Sequence, residues 1–382
     1  GLLWTKDTWP MWLVLVNNLT NHGEFSFRNF GNFYIPNLYM PPLYAWFLYI
    51  FKFLNLTNEN YVNLILYLQA IFACISLVTF YYISKKFFSY SLSLFLTFIF
   101  CFFPSYLYAC GQISSISLYV LLIVLFIHFV LKITSEPNYK HIFYLGLIAG
   151  LSILLRGEFI LIFIFSLSYL FFFYKNFGLK EAVLTLLITF IVLSPYLYRN
   201  ITELNTFSLT KSIGFNLWKG NNPNSNVEGD LKRFVNEYGP NGFEGDLKEK
   251  IINLKVDKYY DITLDKFFLN EALENIKSNP TRYIALYIKK FISFIFFDLN
   301  STNKNYYHPL HLFPLIMISI CSLVGALISF KYSKNLNFIT ILYLAYIFVF
   351  SFFFILPRYN LIILPMQIIL TGQLINKFLK KF

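Results

Sequence analysis

Long apolar runs recur along most of this chain, joined by short lysine-bearing links, and they restrict its fold more than any motif does. A membrane span needs roughly 17–25 consecutive, mainly apolar residues. Runs near 61–83, 88–106, 113–132, 142–155, 157–174, 181–198, 309–330, 337–356 and 359–377 predict about nine spans. The composition agrees: 57% of residues are hydrophobic and only 13% are charged, where a soluble domain carries about 25% charged residues. The expected fold class is therefore an all-α polytopic membrane protein. The net charge of +12 does not point to nucleic acid, because the lysines sit in the links between runs. That is where a positive-inside bias places them.

The same bias orders the chain. With Lys85/Lys86, Lys132/Lys140, Lys175/Lys180, Lys331/Lys334 and Lys377/Lys380/Lys381 all cytoplasmic, the stretch 142–174 must turn back at "LLRGEF", around Arg156 and Gly157. It then reads as two short helices and not one long one. Gly146 and Gly150 form a GxxxG that permits close helix packing. Residues 1–60 become a first extracytoplasmic loop with interfacial helices, 61–198 a set of membrane helices, 199–308 a mixed extracytoplasmic insertion, and 309–382 the C-terminal membrane helices. "PPLYAWFLYIFKFL" and "RYIALYIKKFISFIFF" each carry lysine inside an apolar stretch, so both are expected to lie in the interface. Cys74, Cys101, Cys110 and Cys321 show no metal or disulfide spacing and read as buried thiols. The chain begins at Gly1 and not Met, so an N-terminal piece is expected to precede it.

Polar chemistry gathers on one side of this topology. Of 19 carboxylates, 13 lie between Glu203 and Asp298. Asp7, Glu24, Glu59 and Glu158 join them at the outer ends of the helices, together with Arg28, Arg156, Arg199 and Arg358. An arginine at a span costs about 2.5–3.5 kcal/mol on insertion scales; four near one plane suit a shared anion, which guanidinium binds bidentately. Arg156 beside Glu158 also reads as a structural ion pair, and Arg199 and Arg358 as residues snorkelling to headgroups. His308 and His311 lack a third metal ligand. There is no P-loop, GxGxxG, HExxH or GxSxG. The loop "GFNLWKGNNP" (Gly214 to Pro223) breaks the apolar pattern and, read alone, returns the chain to the membrane.

The order of these elements resembles the GT-C fold glycosyltransferases, in particular bacterial relatives of the protein O-mannosyltransferases and the lipid A aminoarabinose transferases. The resemblance rests on "KDTWPMWLVLVNNLTNHGEFSF", "MPPLYAWFL", "LLRGEF", "SPYLYRNITELNTFSLTKSIGFNLWKGNNP", "ALENIKSNPTRY" and "RYNLIILP", in order along essentially the whole chain. Relatives carry a further first membrane helix, and a Ser-Glu where this chain reads "GQISSIS". The resemblance implies an inverting transfer of a sugar from a polyprenyl-phosphate donor to a hydroxyl of a protein, lipid or glycan. It places the reaction outside the cytoplasm, in a bacterial inner membrane. Asp7 stands at the position of the catalytic base, and Arg156, Arg199 and Arg358 at the donor phosphate. Glu24, Glu158, Asn200, Asn216, Trp218, Lys219, Asn221, Asn222 and Tyr359 fall to sugar or acceptor binding. Trp218 would stack on a sugar face, and Gly214 and Gly220 would let backbone approach the ligand. No metal or other cofactor is indicated, a divalent cation staying open, and no nucleic acid is expected. The alternatives are a transporter or flippase of lipid-linked sugars, a polymerase or ligase of lipid-linked glycans, and a non-catalytic scaffold.

Overall fold

The computed structural model describes residues 9–136, 138–229, 246–298, 300–301, 308–330 and 333–380. Helix α1 (Trp9–His22) leads into an antiparallel hairpin of β1 (Ser26–Phe30) and β2 (Phe33–Pro36). Gly31 turns that hairpin at φ +61°, a left-handed conformation that glycine enters without a Cβ clash. Helix α2 (Pro42–Ile50) opens on a proline, whose missing N–H would be unpaired in the first turn anyway. Then come α3 (Asn58–Ser84), α4 (Tyr90–Cys101), α5 (Pro104–Cys110), α6 (Ile116–Ser135), α7 (Tyr139–Leu155), α8 (Phe159–Phe173) and α9 (Leu179–Leu204). The insertion contains α10 (Ile213–Gly220), α11 (Asp246–Ile252), α12 (Tyr260–Ser278) and α13 (Pro280–Ile295). Helices α14 (Pro309–Ser329), α15 (Lys334–Ser351) and α16 (Asn360–Leu379) follow.

The protein is thus a helical polytopic chain with little sheet, but the count of nine spans is not met by length. Among the described residues, six helices are long and apolar enough to cross a membrane, or seven if the α4–α5 pair, bent by 55°, is counted as one span. The bend falls at Phe103-Pro104, where proline disfavours helix in the residue before it. Helices α7 and α8 have only 17 and 15 residues. At about 1.5 Å per residue they reach roughly 26 and 23 Å, against a hydrocarbon core of about 30 Å. They are separated at the expected place: Arg156 leaves α7 in extended conformation (φ −150°, ψ 109°), and α8 restarts at Phe159. Helix α13 falls outside the candidate spans, as does the stretch Pro42–Leu54.

Close packing explains the small residues. A Cβ on Gly146 would lie 2.8 Å from Ile188 Cβ, and one on Gly150 2.6 Å from Val192 Cβ. The GxxxG face of α7 therefore seats α9, and the Thr189 hydroxyl donates to the Gly146 carbonyl at 3.1 Å. Pro195 lies inside α9 and cannot donate to the carbonyl four residues earlier. The Ser194 hydroxyl donates to that Ile191 carbonyl instead, at 2.8 Å. The cysteines are free, with Cys74 exposed and the other three half-buried, so the expectation of buried thiols is corrected. Cys74 lies on α3 beside the exposed Ile71, Ile75 and Val78.

Two cores result. The large one fills the helix bundle. The smaller joins residues far apart in sequence: Leu15, Phe27, Ile35 and Tyr39 from the first segment with Phe215, Trp218, Leu264 and Phe268 from the insertion. A buried ion pair, Arg28 of β1 with Asp261 of α12, fastens the two segments, and Asp261 also accepts the Leu38 N–H at 3.0 Å. Arg28 lies over the Tyr39 ring, 4.5 Å from its centroid. The loop segments flanking the bundle helices thus form one subdomain at one end of the bundle.

Candidate functional site

Where that subdomain meets the bundle there is a cavity of about 560 Å³. One flank is apolar and built from α8 and α9: Ile160, Leu161, Phe190, Leu193 and Leu197. Ile160, Leu161 and Phe190 are also exposed, so this flank is continuous with the exposed apolar faces of α8 and α9. The other end is polar, with Glu158, Thr210, Ser212, Asn216 and Tyr359. Phe350, Phe353 and Phe354, at and beyond the end of α15, close the remaining side.

Arg156 stands beside the polar end. Its guanidinium lies 5.3 Å from the Tyr119 ring centroid and 5.0 Å from that of Tyr359. Its Nη1 is 3.3 Å from Glu158 Oε1 and makes no hydrogen bond among the described residues. Below it the buried hydroxyls of Tyr119 and Tyr346 meet at 3.3 Å. The helix break at 156–158 produces this arrangement: leaving the helical path aims Arg156 and Glu158 at the same space. Arg358 follows Pro357 in a short 3-10 turn and lies 5.8 Å from the Tyr359 ring. It makes no hydrogen bond or ion pair among the described residues. Arg156 and Arg358 thus both lie against Tyr359, which lines the cavity although neither arginine does, and Glu158 stands beside Arg156.

The third expected phosphate ligand is engaged elsewhere. Arg199 Nε pairs with Glu203 at 2.8 Å, and its Nη1 donates to the Asn37 carbonyl at 2.9 Å and to Asn200 Oδ1 at 3.0 Å. It ties α9 to the first segment. Asn200 is fully buried and donates to the Ser208 carbonyl at 2.8 Å, bracing the turn after α9. Glu24 is exposed beside Gly23 and does not line the cavity. Asp7 lies outside the described residues.

The "GFNLWKGNNP" stretch is a helix followed by a tight turn, not an open glycine loop. Its glycines face protein: a Cβ on Gly214 would be 2.0 Å from the Asp265 carbonyl oxygen, and one on Gly220 2.7 Å from that of Phe353. The Asp265 carboxylate accepts the Gly214 N–H at 2.7 Å, favourable at a helix N-terminus. Burial pushes this carboxyl above its ordinary range, opposed by hydrogen bonds from the Gly214 and Phe215 N–H groups. Trp218 is buried against Phe268, with ring centroids 4.8 Å apart, so it serves the small core and presents no open face for sugar stacking. Lys219 lies 4.8 Å over the Phe354 ring. Asn221 Nδ2 donates to the Leu217 and Phe352 carbonyls, both at 2.8 Å. Asn222 Oδ1 accepts the Asn224 N–H at 2.8 Å within the turn. Of the amides expected at the sugar, Asn216 lines the cavity; Asn221 and Asn222 hold the turn together.

Tyr119, Tyr346, Thr210 and Ser212 had no local signal. The tyrosines sit inside apolar runs, and the hydroxyl residues belong to a stretch whose place depends on α9 ending at Leu204. Among the described residues no three His, Cys, Asp or Glu side chains gather as a metal site.

Residues 39–198 match the profile of a family described as dolichyl-phosphate-mannose-protein mannosyltransferase. The matched stretch runs from α2 through most of α9, and it takes in "MPPLYAWFL", "LLRGEF" with Arg156 and Glu158, and "SPYLY", while the other motifs lie outside it. The match covers fewer than half of the 382 residues, and the helices long and apolar enough to cross a membrane mark an integral membrane protein. No curated protein and no solved structure matches the chain.

Proposed function

We propose that the protein moves a sugar from a polyprenyl-phosphate donor to a hydroxyl acceptor, with inversion, at the end of the bundle facing away from the cytoplasm. The observation that carries this reading is the cavity's two-sided character. Its apolar flank, open along α8 and α9, suits a prenyl chain lying in the membrane, and its polar end suits the phosphate and sugar. The lysine-bearing links at the other ends of the helices favour that face.

In the transfer, the acceptor oxygen attacks the anomeric carbon from the side opposite the phosphate. A new C–O bond forms, the sugar–phosphate C–O bond breaks, and polyprenyl phosphate leaves with the bonding electron pair. Arg156 and Arg358 offset the charge that grows on the departing phosphate, a preorganised electrostatic role. Stacking against Tyr119 and Tyr359 limits the reorganisation of Arg156. The acceptor proton passes to a carboxylate: Asp7 by its place in the resembled motif, with Glu158 the carboxylate at the cavity itself. Asn216 and Tyr359, which line the cavity, hold sugar hydroxyls in this reading. Arg199, with its partners on Glu203 and Asn37, is assigned to holding the loop subdomain.

The test is transfer of radiolabelled sugar from polyprenyl-phosphate mannose by the full-length protein in membranes, comparing wild type with Arg156→Ala, Arg358→Ala and Asp7→Asn. Wild type transfers label. The arginine variants lose at least tenfold in kcat/KM while remaining folded, and Asp7→Asn loses kcat with donor still bound. Absence of transfer by wild type from this and other polyprenyl-phosphate sugars, or wild-type rates in Arg156→Ala, would overturn the reading.

A further inference from the structure

Lys290 of α13 is completely buried, a rare state for lysine that normally demands a counter-charge. No carboxylate pairs with it among the described residues. Its Nζ donates instead to two neutral acceptors, the Gly220 carbonyl at 2.7 Å and Asn221 Oδ1 at 3.0 Å. Eight residues earlier on the same helix, Arg282 grips the next residues of the same turn. It donates to the carbonyls of Asn222 (3.1 Å), Pro223 (2.8 Å) and Ser225 (3.4 Å). Two basic side chains therefore hold one short turn entirely through neutral oxygens.

That turn is in contact with the cavity wall. The hydrogen bond from Lys290 to Oδ1 fixes which way the Asn221 amide faces, and so aims Nδ2 at the Phe352 carbonyl, 2.8 Å away. Gly220 lies against the Phe353 backbone, with no room for a side chain. The Ile355 N–H donates to the Val227 carbonyl at 2.8 Å. Phe353 and Phe354, held between these attachments, line the cavity. A continuous path of packed backbone and hydrogen bonds thus runs from α13, through the turn, to the aromatic wall.

We propose that Lys290 and Arg282 are positioning residues that set the Phe353–Phe354 wall of the donor cavity through the Gly220–Ser225 turn. The link to donor binding rests on the function proposed above; the mechanical link from α13 to the wall does not. Burial, with the like charge of Arg282, lowers the Lys290 amine to about 7. A neutral amine has two N–H donors for its two acceptors, whereas an ammonium has a third proton with none. The residues 220–227 and 352–355 carry no titratable side chain. Lys219 on α10, over the Phe354 ring, is the other cation at the wall. The clamp accordingly weakens as pH falls through about 7, the value burial gives Lys290.

Hydrogen exchange of the full-length protein in lipid nanodiscs tests this directly, comparing wild type, Lys290→Met and Lys290→Arg at pH 6.5 and 8. Lys290→Met removes both donors and keeps an unbranched side chain. Exchange across residues 350–356 rises at least tenfold in Lys290→Met at pH 8, while α3, α6 and α16 stay protected. Wild type shows a smaller local rise at pH 6.5, about eightfold from the linkage of a value near 7, once intrinsic exchange rates are divided out, and Lys290→Met shows no further pH effect. Arg282→Met gives a weaker rise in the same residues, and Lys290→Arg, which restores donors, recovers most of the protection. Unchanged exchange at 350–356 in Lys290→Met, or a uniform rise across all helices, overturns the proposal. Donor transfer is read in parallel: KM for the polyprenyl-phosphate sugar rises at least fivefold with kcat within about twofold. Absence of transfer in wild type would defeat the functional reading alone, since the exchange result still decides the clamp.

Discussion

The Arg28–Asp261 pair allows a quantitative test of how the loop subdomain is held. Both side chains are 3% exposed, so neither charge can turn to water if the other is removed. Asp261→Asn keeps shape and keeps an oxygen for the Leu38 N–H, but removes the carboxylate charge that faces the buried Arg28. Breaking a buried pair from one side costs about 3–5 kcal/mol. The contacts of Arg28 with the Phe27 and Tyr39 rings are the same with and without the substitution and cancel in the comparison. A loss of at least about 3 kcal/mol is therefore expected, a hundredfold or more in an opening equilibrium. The double variant Arg28→Met/Asp261→Asn buries no charge and still caps Leu38, so it should cost no more than about 1–2 kcal/mol. Local hydrogen exchange of residues 26–40 and 260–272 measures the opening free energy without requiring reversible unfolding. Asp261→Asn should lower protection there by about a hundredfold or more, and the double variant should regain most of it. A single-variant loss below about 1 kcal/mol, or a double variant costing as much as the two singles together, would refute a buried, mutually dependent pair.

Three further outcomes follow from the geometry. Gly214→Ala puts a methyl 2.0 Å from the Asp265 carbonyl oxygen, so α10 and α12 must part, lowering thermal stability by about 1–3 kcal/mol or more. Gly23→Ala meets nothing within 4 Å and bears only the strain of φ +71°, about 1–2 kcal/mol; equal melting-temperature losses for the two would be the contrary result. Trp218→Ala should destabilise by about 3–5 kcal/mol while Trp218→Phe keeps most stability and donor affinity; a Trp218→Phe protein that is stable but cannot bind donor would return this ring to the sugar site. Lys290 has a folded-state value near 7, below the 10.5 of an ordinary lysine, so between those values the unfolded chain holds the extra proton. Stability therefore rises with pH across that window, and melting temperatures measured from pH 7 to 9 should climb in wild type more steeply than in Lys290→Met.

Much of the architecture was local and so legible from residue order. Apolar run length marks a span because each residue adds a set rise, and "LLRGEF" ends one helix and begins another because Arg156, Gly157 and Glu158 interrupt the apolar pattern. The glycine pair of α7 announced close packing because small residues 4 apart share a helix face. The same local logic counted nine runs where six described helices, or seven with the bent α4–α5 pair, are long and apolar enough to cross, because run length does not show where a helix ends or that Pro104 bends α4 away from α5.

What the residue order could not convey is which polar group meets which. Arg28 and Asp261 are 233 positions apart, and Asn221 reaches Phe352 across 131. Only the folded chain shows that Arg156 and Arg358 share Tyr359 while Arg199 is taken up by Glu203 and Asn37. Trp218 and the asparagines of "GFNLWKGNNP" have the chemistry of a sugar site, yet burial against Phe268 and closure of their own turn direct that chemistry inward. Residue type and spacing set what each side chain is able to do. Burial and partner choice, which depend on segments brought together only by tertiary packing, decide what it does.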